Sequence, residues 1–214
     1  MRTKTLLIAA AALAAGLACS QAQNVYSANV VGYVNLTISG SAGGKFTMIA
    51  NPLNTTNNTL DGVLNNANVP IPCDFYRWNG SGFDIATYFG SWSFNHSLAP
   101  GEGGFILTDT SFTNTFVGEV LQGALTNPFP GPAIYSIRSS KVPQTATTDV
   151  LGLDDDLSPA DNVYQWNYAT QSFDIKTYFG SPGSWDSLPT IKVGESVFLY
   201  TGGAGSWNRN FTVN

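Results

Sequence analysis

Short runs of alternating apolar and polar residues, separated by clusters of Gly, Asn, Ser and Asp, occupy most of this chain, and a period of two is the signature of β-strands. In FDIATYFGS, residues 83–91, the alternation puts Phe83, Ile85 and Thr87 on one side of an extended strand and Asp84, Ala86 and Tyr88 on the other. Just upstream, FYRWNGSGFDI (75–85) sets Asn79 and Gly80 between two aromatic runs. That predicts a hairpin, because both residues tolerate the positive φ that such turns need. Helical spacing is confined to NTLDGVL (58–64) and TTDVLGL (147–153), each predicting a single helical turn. The chain reads as all-β.

The same nonapeptide returns as FDIKTYFGS at 173–181, altered only at its fourth position, and it is the best-kept part of a longer duplication. FYRWNGSGFDIATYFGSW (75–92) aligns with VYQWNYATQSFDIKTYFGSPGSW (163–185). The alignment matches Tyr76, Trp78, Phe83, Tyr88 and Trp92 with Tyr164, Trp166, Phe173, Tyr178 and Trp185. PGEGGFIL (100–107) aligns with VGESVFLY (193–200), and TFVGE (115–119) with NFTVN (210–214). Upstream, VVGYVNLTI (30–38) resembles FVGEVLQGA (116–124), and FTMIANP (46–52) stands where IYSIRSS (134–140) stands. The turn in WNYATQSF must be wider than its partner, since it is longer and lacks the Gly. The expected fold is two tandem, closely packed β-repeats at 23–116 and 117–214, sandwich- or barrel-like, with one short helical turn in each.

The first residues change the picture from architecture to location. Arg2 and Lys4, an apolar run TLLIAAAALAAGLA and a polar CSQAQ follow the order of a secretory signal peptide, expected at 1–22 with the mature chain beginning near Gln23. Lipidation at Cys19 is the competing outcome. Without the leader the basic residues fall from 9 to 7 against 14 acids, a net charge of −7. Nucleic acid is excluded as a partner on that ground, since phosphates need clustered Lys and Arg. Charged residues make up only 11% of the chain, where about a quarter is usual, so Asn, Ser, Thr and Gly must coat the surface. If Cys19 leaves with the leader, Cys73 is alone and an apolar core has to hold the fold. No cofactor is implied, no span is expected in the mature chain, and the partners that fit are a cell-envelope protein or a glycan.

Candidate chemistry is sparse. Asp84 and Asp174 could form a glycosidase-like pair, or lie on a solvated strand face, the reading that the change of Ala86 to Lys176 favours. On that reading Phe83, Ile85, Phe173 and Ile175 are buried and the two aspartates are not. Glu102 and Glu195, each after a Gly, suit turns better than acid catalysis. His96 is the single histidine, which excludes HExxH chemistry, and Cys73 reads as a small core filler. GSAGGKF (40–46) fails the phosphate-loop spacing and reads as a turn. LDDDLSPADN (153–162) offers Asp154, Asp156, Ser158 and Asp161 as hard oxygen ligands for calcium, or forms a solvated acidic loop. Trp92, Trp185 and Trp207 lie in Gly- and Ser-rich contexts and could stack on sugars, or plug the core.

VYSANVVGYVN after the leader, then FTMIANPLN, YRWNGSGF, LAPGEGGFIL and TFVGEV, resembles a group of uncharacterised small secreted proteins of Verrucomicrobia and related bacteria. The resemblance spans the mature chain and implies secretion and a repeated β-fold. It carries over no activity and no site residue. Gly104 stands where loosely similar β-modules place an aromatic, which puts the strand at 104–107 in question. The function expected is that of an exported, non-enzymatic cell-surface or extracellular protein with a structural or interaction role. The alternatives are a carbohydrate-binding module using exposed tryptophans and a glycan-active hydrolase using paired carboxylates.

Overall fold

A computed structural model describes residues 30–213; the leader expected at 1–22, Cys19 and the cut expected before Gln23 lie outside the described residues. Its regular structure is almost all antiparallel β-sheet. The first half comprises β1 (Val30–Ile38), β2 (Lys45–Ala50), helix α1 (Leu60–Val63), β3 (Cys73–Trp78), β4 (Phe83–Tyr88), β5 (Gly103–Thr108) and β6 (Phe112–Val120). The second comprises β7 (Gly123–Phe129), β8 (Ile134–Arg138), β9 (Ala146–Thr147), a 3-10 turn (Asp154–Asp156), β10 (Asn162–Asn167), β11 (Ser172–Thr177), β12 (Thr190–Ile191), β13 (Val197–Thr201) and β14 (Gly205–Phe211).

The sheet order β2-β5-β3-β4 in one half is matched by β8-β13-β10-β11 in the other, and the ribbon β1-β6 by β7-β14. β6 runs unbroken through residue 116 to Val120 and pairs with β1 along its length. Helix α1 falls inside the predicted 58–64. In the second half Leu151 N–H closes a turn on Thr147 O at 2.9 Å, and the 3-10 turn follows just beyond the predicted segment.

Strand alternation decides what each face meets. Ile49, Phe75, Ala86 and Ile106 turn one face of the first sheet onto its ribbon, where they pack with Ile38, Phe112 and Phe116. Val163, Val197 and Leu199 do the same in the second half, against Phe129 and Trp207. The opposite faces of the two sheets look at each other and meet through Met48, Phe105, Ile137 and Phe198. The result is a layered sandwich with an aromatic seam at its centre. Backbone bonds fix the seam symmetrically: Ala50 N–H donates to Gly194 O at 2.8 Å, and Ser139 N–H to Gly101 O at 2.9 Å.

β5 is intact, and the structure explains why Gly104 stands in it. A Cβ there would lie 2.5 Å from Phe75 Cζ and 2.6 Å from Tyr76 O, so the buried Phe75 ring occupies the space an aromatic side chain would need.

The expected orientation is inverted on β4 and partly met on β11, where Phe173 is half-buried against the seam and Ile175 is not buried. Ala86 is fully buried and Tyr88 nearly so, while Phe83 is 40% exposed, Ile85 48% and Ile175 54%. Asp84 is half-buried, and Asp174 is exposed as expected. The reason is that the Ala86/Tyr88 face covers the first half's own core, leaving the Phe83/Ile85 face to the seam between halves. A difference on a single strand position could not reveal a seam that exists only once both halves are docked.

Candidate functional site

At the seam, ten aromatic side chains line an open cavity of about 510 Å³. They fall into five matched pairs set by strand register, which shifts the expected match of 46–52 with 134–140 by one residue: Phe46 with Tyr135, Tyr76 with Tyr164, Trp78 with Trp166, Phe83 with Phe173, and Phe105 with Phe198. The packing repeats with the pairing. Trp78 meets Phe83 at 5.0 Å between ring centroids and Trp166 meets Phe173 at 4.9 Å. Across the seam, Trp78 meets Phe198 at 5.4 Å and Phe105 meets Trp166 at 5.1 Å. These contacts are edge-to-face, the arrangement the ring quadrupole favours.

Each indole N–H is spent across the seam: Trp78 Nε1 donates to Tyr135 O at 2.8 Å and Trp166 Nε1 to Phe46 O at 3.2 Å. The Tyr135 and Tyr164 hydroxyls bond each other at 3.2 Å. That bond, followed by burial, raises the Tyr164 phenol to about 12. The lining is therefore a wall of ring faces and edges with few polar groups left to bind a ligand. A sugar, which carries a hydroxyl on nearly every carbon, fits such a wall poorly; an apolar or aromatic body fits it well.

The halves are not identical around the cavity. Between Trp166 and Phe173 the turn has six residues, and between Trp78 and Phe83 it has four. The longer turn folds over edge strand β2: Gln171 Oε1 accepts from Phe46 N–H at 2.8 Å, Gln171 Nε2 donates to Phe46 O at 3.2 Å, and Tyr168 Oη donates to Met48 O at 2.9 Å. The shorter turn is an Asx-type hairpin, with Asn79 Oδ1 accepting from Ser81 and Gly82 N–H, and it makes no such cap on β8. A second cavity of about 460 Å³ opens there instead.

The residues singled out in the sequence stand elsewhere. Trp92 is 7% exposed and Trp207 3%, and Trp207 Nε1 donates to Leu151 O at 2.8 Å inside the second core. Trp185 is half-buried, packs against that core and donates to Asp154 Oδ2 at 2.9 Å. This corrects the expectation of exposed indoles: Trp92 and Trp207 present no face to a sugar. The tryptophans that do line a cavity, Trp78 and Trp166, lie within strands, where a period-two pattern reads them as core.

The acidic loop is likewise tied into structure. Asp154 and Asp161 are buried. Asp154 Oδ2 accepts from Gly183 N–H, Asp161 accepts from Ser158 and Gly202 N–H, and Asp156 accepts from Asn208. These oxygens hold donors within the loop and from the distant Gly183, Gly202 and Asn208, and among the described residues no group of three acidic, His or Cys side chains could hold a metal. The calcium reading is corrected accordingly.

Asp84 accepts from Asn79 Nδ2 at 2.8 Å and Asp174 from Asn167 Nδ2 at 3.1 Å, so each braces the turn of its own hairpin. Glu102 Oε2 accepts from Ala99 N–H at 2.8 Å, and Glu195 Oε2 from Lys192 N–H at 3.0 Å, a matched pair of turn caps. Burial raises the Glu195 carboxyl above its ordinary range, against the Lys192 and Gln165 hydrogen bonds that lower it. Cys73 is buried, and desolvation, then Asp74, pushes its thiol up to about 12. His96 stacks on Phe94 at 5.9 Å and is held low chiefly by burial.

Protein-family models, curated proteins and solved structures offer no match to this chain. No helix among the described residues is long and apolar enough to cross a membrane.

Proposed function

We propose that this is an exported, non-enzymatic binding protein, built by duplication of one β-unit, whose interaction element is the aromatic cavity between the two copies. The single observation that carries the reading is that lining: ten aromatic residues at five matched positions, with none of Asp84, Asp174, Glu102 or Glu195 among them. A cavity of about 300–1,000 Å³ lined by aromatic groups is the usual form of a small apolar ligand site. The role suits a cell-surface or extracellular setting, with an envelope component as the source of the apolar group.

The hydrolase alternative is less well supported, since all four carboxylates serve turns. The glycan alternative loses Trp92 and Trp207, and in the cavity both indole N–H groups and the Tyr135 and Tyr164 hydroxyls are already bonded.

The test uses the uncharged dye N-phenyl-1-naphthylamine, whose emission rises in apolar surroundings and which accepts energy from tryptophan. Binding is expected with sensitised emission from Trp78 and Trp166. Phe83→Ser removes a partly exposed wall without opening the core, and should weaken binding about tenfold, the worth of roughly half a buried Phe side chain. No binding, or binding that Phe83→Ser leaves unchanged, refutes the assignment. Export is checked separately by the mass of the protein recovered outside the cell, which should begin near Gln23.

A further inference from the structure

The second cavity runs along the outer edge of β8, where the two halves differ most, and it contains two of the chain's few basic groups, Arg77 and Arg138. Their matched positions in the other half carry Gln165 and Ile49. The positive charge is thus a departure from symmetry and not a feature of the scaffold.

A backbone donor in the same place has lost the partner its twin has. Tyr135 O accepts from Trp78 Nε1 on the outer edge of β8, and in an antiparallel strand the N–H of that residue points the same way. The matching N–H, of Phe46, is bonded to Gln171 Oε1. The short Asn79–Gly82 turn sends no side chain to Tyr135 N–H among the described residues.

Both arginines line the same cavity as Tyr135. Arg138 is fixed by bonds from Nε to Pro128 O at 2.7 Å and from Nη1 to Ile137 O at 2.8 Å, which leave its second amino group uncommitted. Arg77 has no hydrogen-bond partner among the described residues. Two guanidinium groups near each other repel, and Glu102, which also borders the space, offsets only one of them; its Oε2 is already held by Ser97 Oγ and Ala99 N–H. Asp84 and His96 complete the local charges, and Asp84 is engaged by Asn79.

We infer that this groove seats the oxyanion of an amphipathic ligand whose apolar body occupies the aromatic cavity. The oxyanion takes the place that the Gln171 amide oxygen takes in the other half, accepting from Tyr135 N–H and from Arg77 and Arg138. Trp78 and Tyr135 line both spaces, so one ligand reaches from ring wall to guanidinium across their shared hydrogen bond. The ligand class is an aromatic or aliphatic acid. The inference rests on the cavity being the binding element, and the test separates the two.

The probes are N-phenyl-1-naphthylamine and 8-anilinonaphthalene-1-sulfonate, which share an anilinonaphthalene body and differ in the sulfonate. Both should bind the full-length mature protein, the sulfonate about tenfold or more tightly, as expected of charge-assisted hydrogen bonds. Arg77→Gln and Arg138→Ile each install the residue of the matched position and should remove most of that advantage while leaving the uncharged dye unchanged. Arg77→Gln breaks no hydrogen bond of the fold, so it reports even if Arg138→Ile is unstable. A sulfonate advantage below threefold, or one that survives Arg77→Gln, overturns the oxyanion seat. Failure of the uncharged dye to bind overturns the cavity reading beneath it.

Discussion

Replacing Phe105 or Phe198 by Ala tests whether the seam is one packed unit. Phe105 is 5% exposed and meets Phe46 at 5.8 Å, Trp166 at 5.1 Å and Phe173 at 6.1 Å, all edge-to-face. Phe198 is 7% exposed and meets Tyr135 at 6.0 Å, Trp78 at 5.4 Å and Phe83 at 6.3 Å in the matching geometry. Truncating a buried Phe costs about 3–5 kcal/mol, from lost transfer energy and the void left behind. The two sites are equivalent in register and burial, so the two losses should agree within about 1 kcal/mol, each lying in that range.

The two rings also touch, at 6.3 Å and a tilt of 43°. The double variant should therefore lose less than the sum of the singles, by about 0.5–3 kcal/mol, since the shared contact can be lost only once. Urea unfolding followed by tryptophan emission and by far-UV circular dichroism measures all four proteins, with m-values checked for constancy. A single transition by both probes is expected in the wild type, because the cluster belongs to both halves. A loss under about 1 kcal/mol at either site would refute the packing argument, well below the cost of a buried Phe. Additive losses, or two separated transitions in the wild type, would show the halves to be independent.

Two further outcomes follow from buried ionisable groups. Burial holds the Glu195 carboxyl above its ordinary value of 4.5, so the native state keeps a proton that the unfolded chain has begun to lose. Stability from this group is fully present below that value and falls as pH rises through the folded pKa, and Glu195→Gln should show a flatter urea midpoint between pH 4 and 7 whatever constant offset the amide introduces. Cys73, with its thiol pushed up to about 12, should resist a thiol-specific disulfide reagent at pH 8 in the folded protein and react at once in denaturant. Prompt reaction of the native protein would contradict its burial.

The all-β class was legible because alternation and the Asn79-Gly80 turn are local signals, and the chain obeys them. So were the roles of Glu102 and Glu195, whose Gly-rich settings describe turns. The binding wall was not. Its residues alternate with core residues on the same strands, so Tyr76 and Phe75 carry the same pattern although one faces a cavity and the other a closed core. Only the docking of one sheet on the other separates them. Trp92 and Trp207 misled for the converse reason: their Gly and Ser neighbours suggested open loops, whereas Trp92 folds inward onto Tyr88 and Trp207 stands on the inward face of β14 and bonds Leu151.

The one difference within the repeated nonapeptide is explained by the same geometry, with its sense reversed. Phe83 and its twin Phe173 meet Phe198 and Phe105 across the seam, with Ile85 and Ile175 on the same strand faces toward solvent. A change on one of those faces must suit the opposite sheet as well. Ala86 and Lys176 lie on the faces turned away from the seam, over each half's own core, where the copies can differ independently. Ala86 is wholly covered by the first half's core, whereas Lys176 is partly exposed. Ala86→Lys should therefore force an unpaired ammonium into apolar surroundings, at a cost of several kcal/mol even after the group neutralises or the site opens. Lys176→Ala removes a partly solvated side chain and should change stability by no more than about 0.5 kcal/mol. Urea midpoints of the two variants decide the matter. Comparable effects would mean that the fourth position meets the same surroundings in both copies, and that the seam does not govern which face of the strand is free to vary.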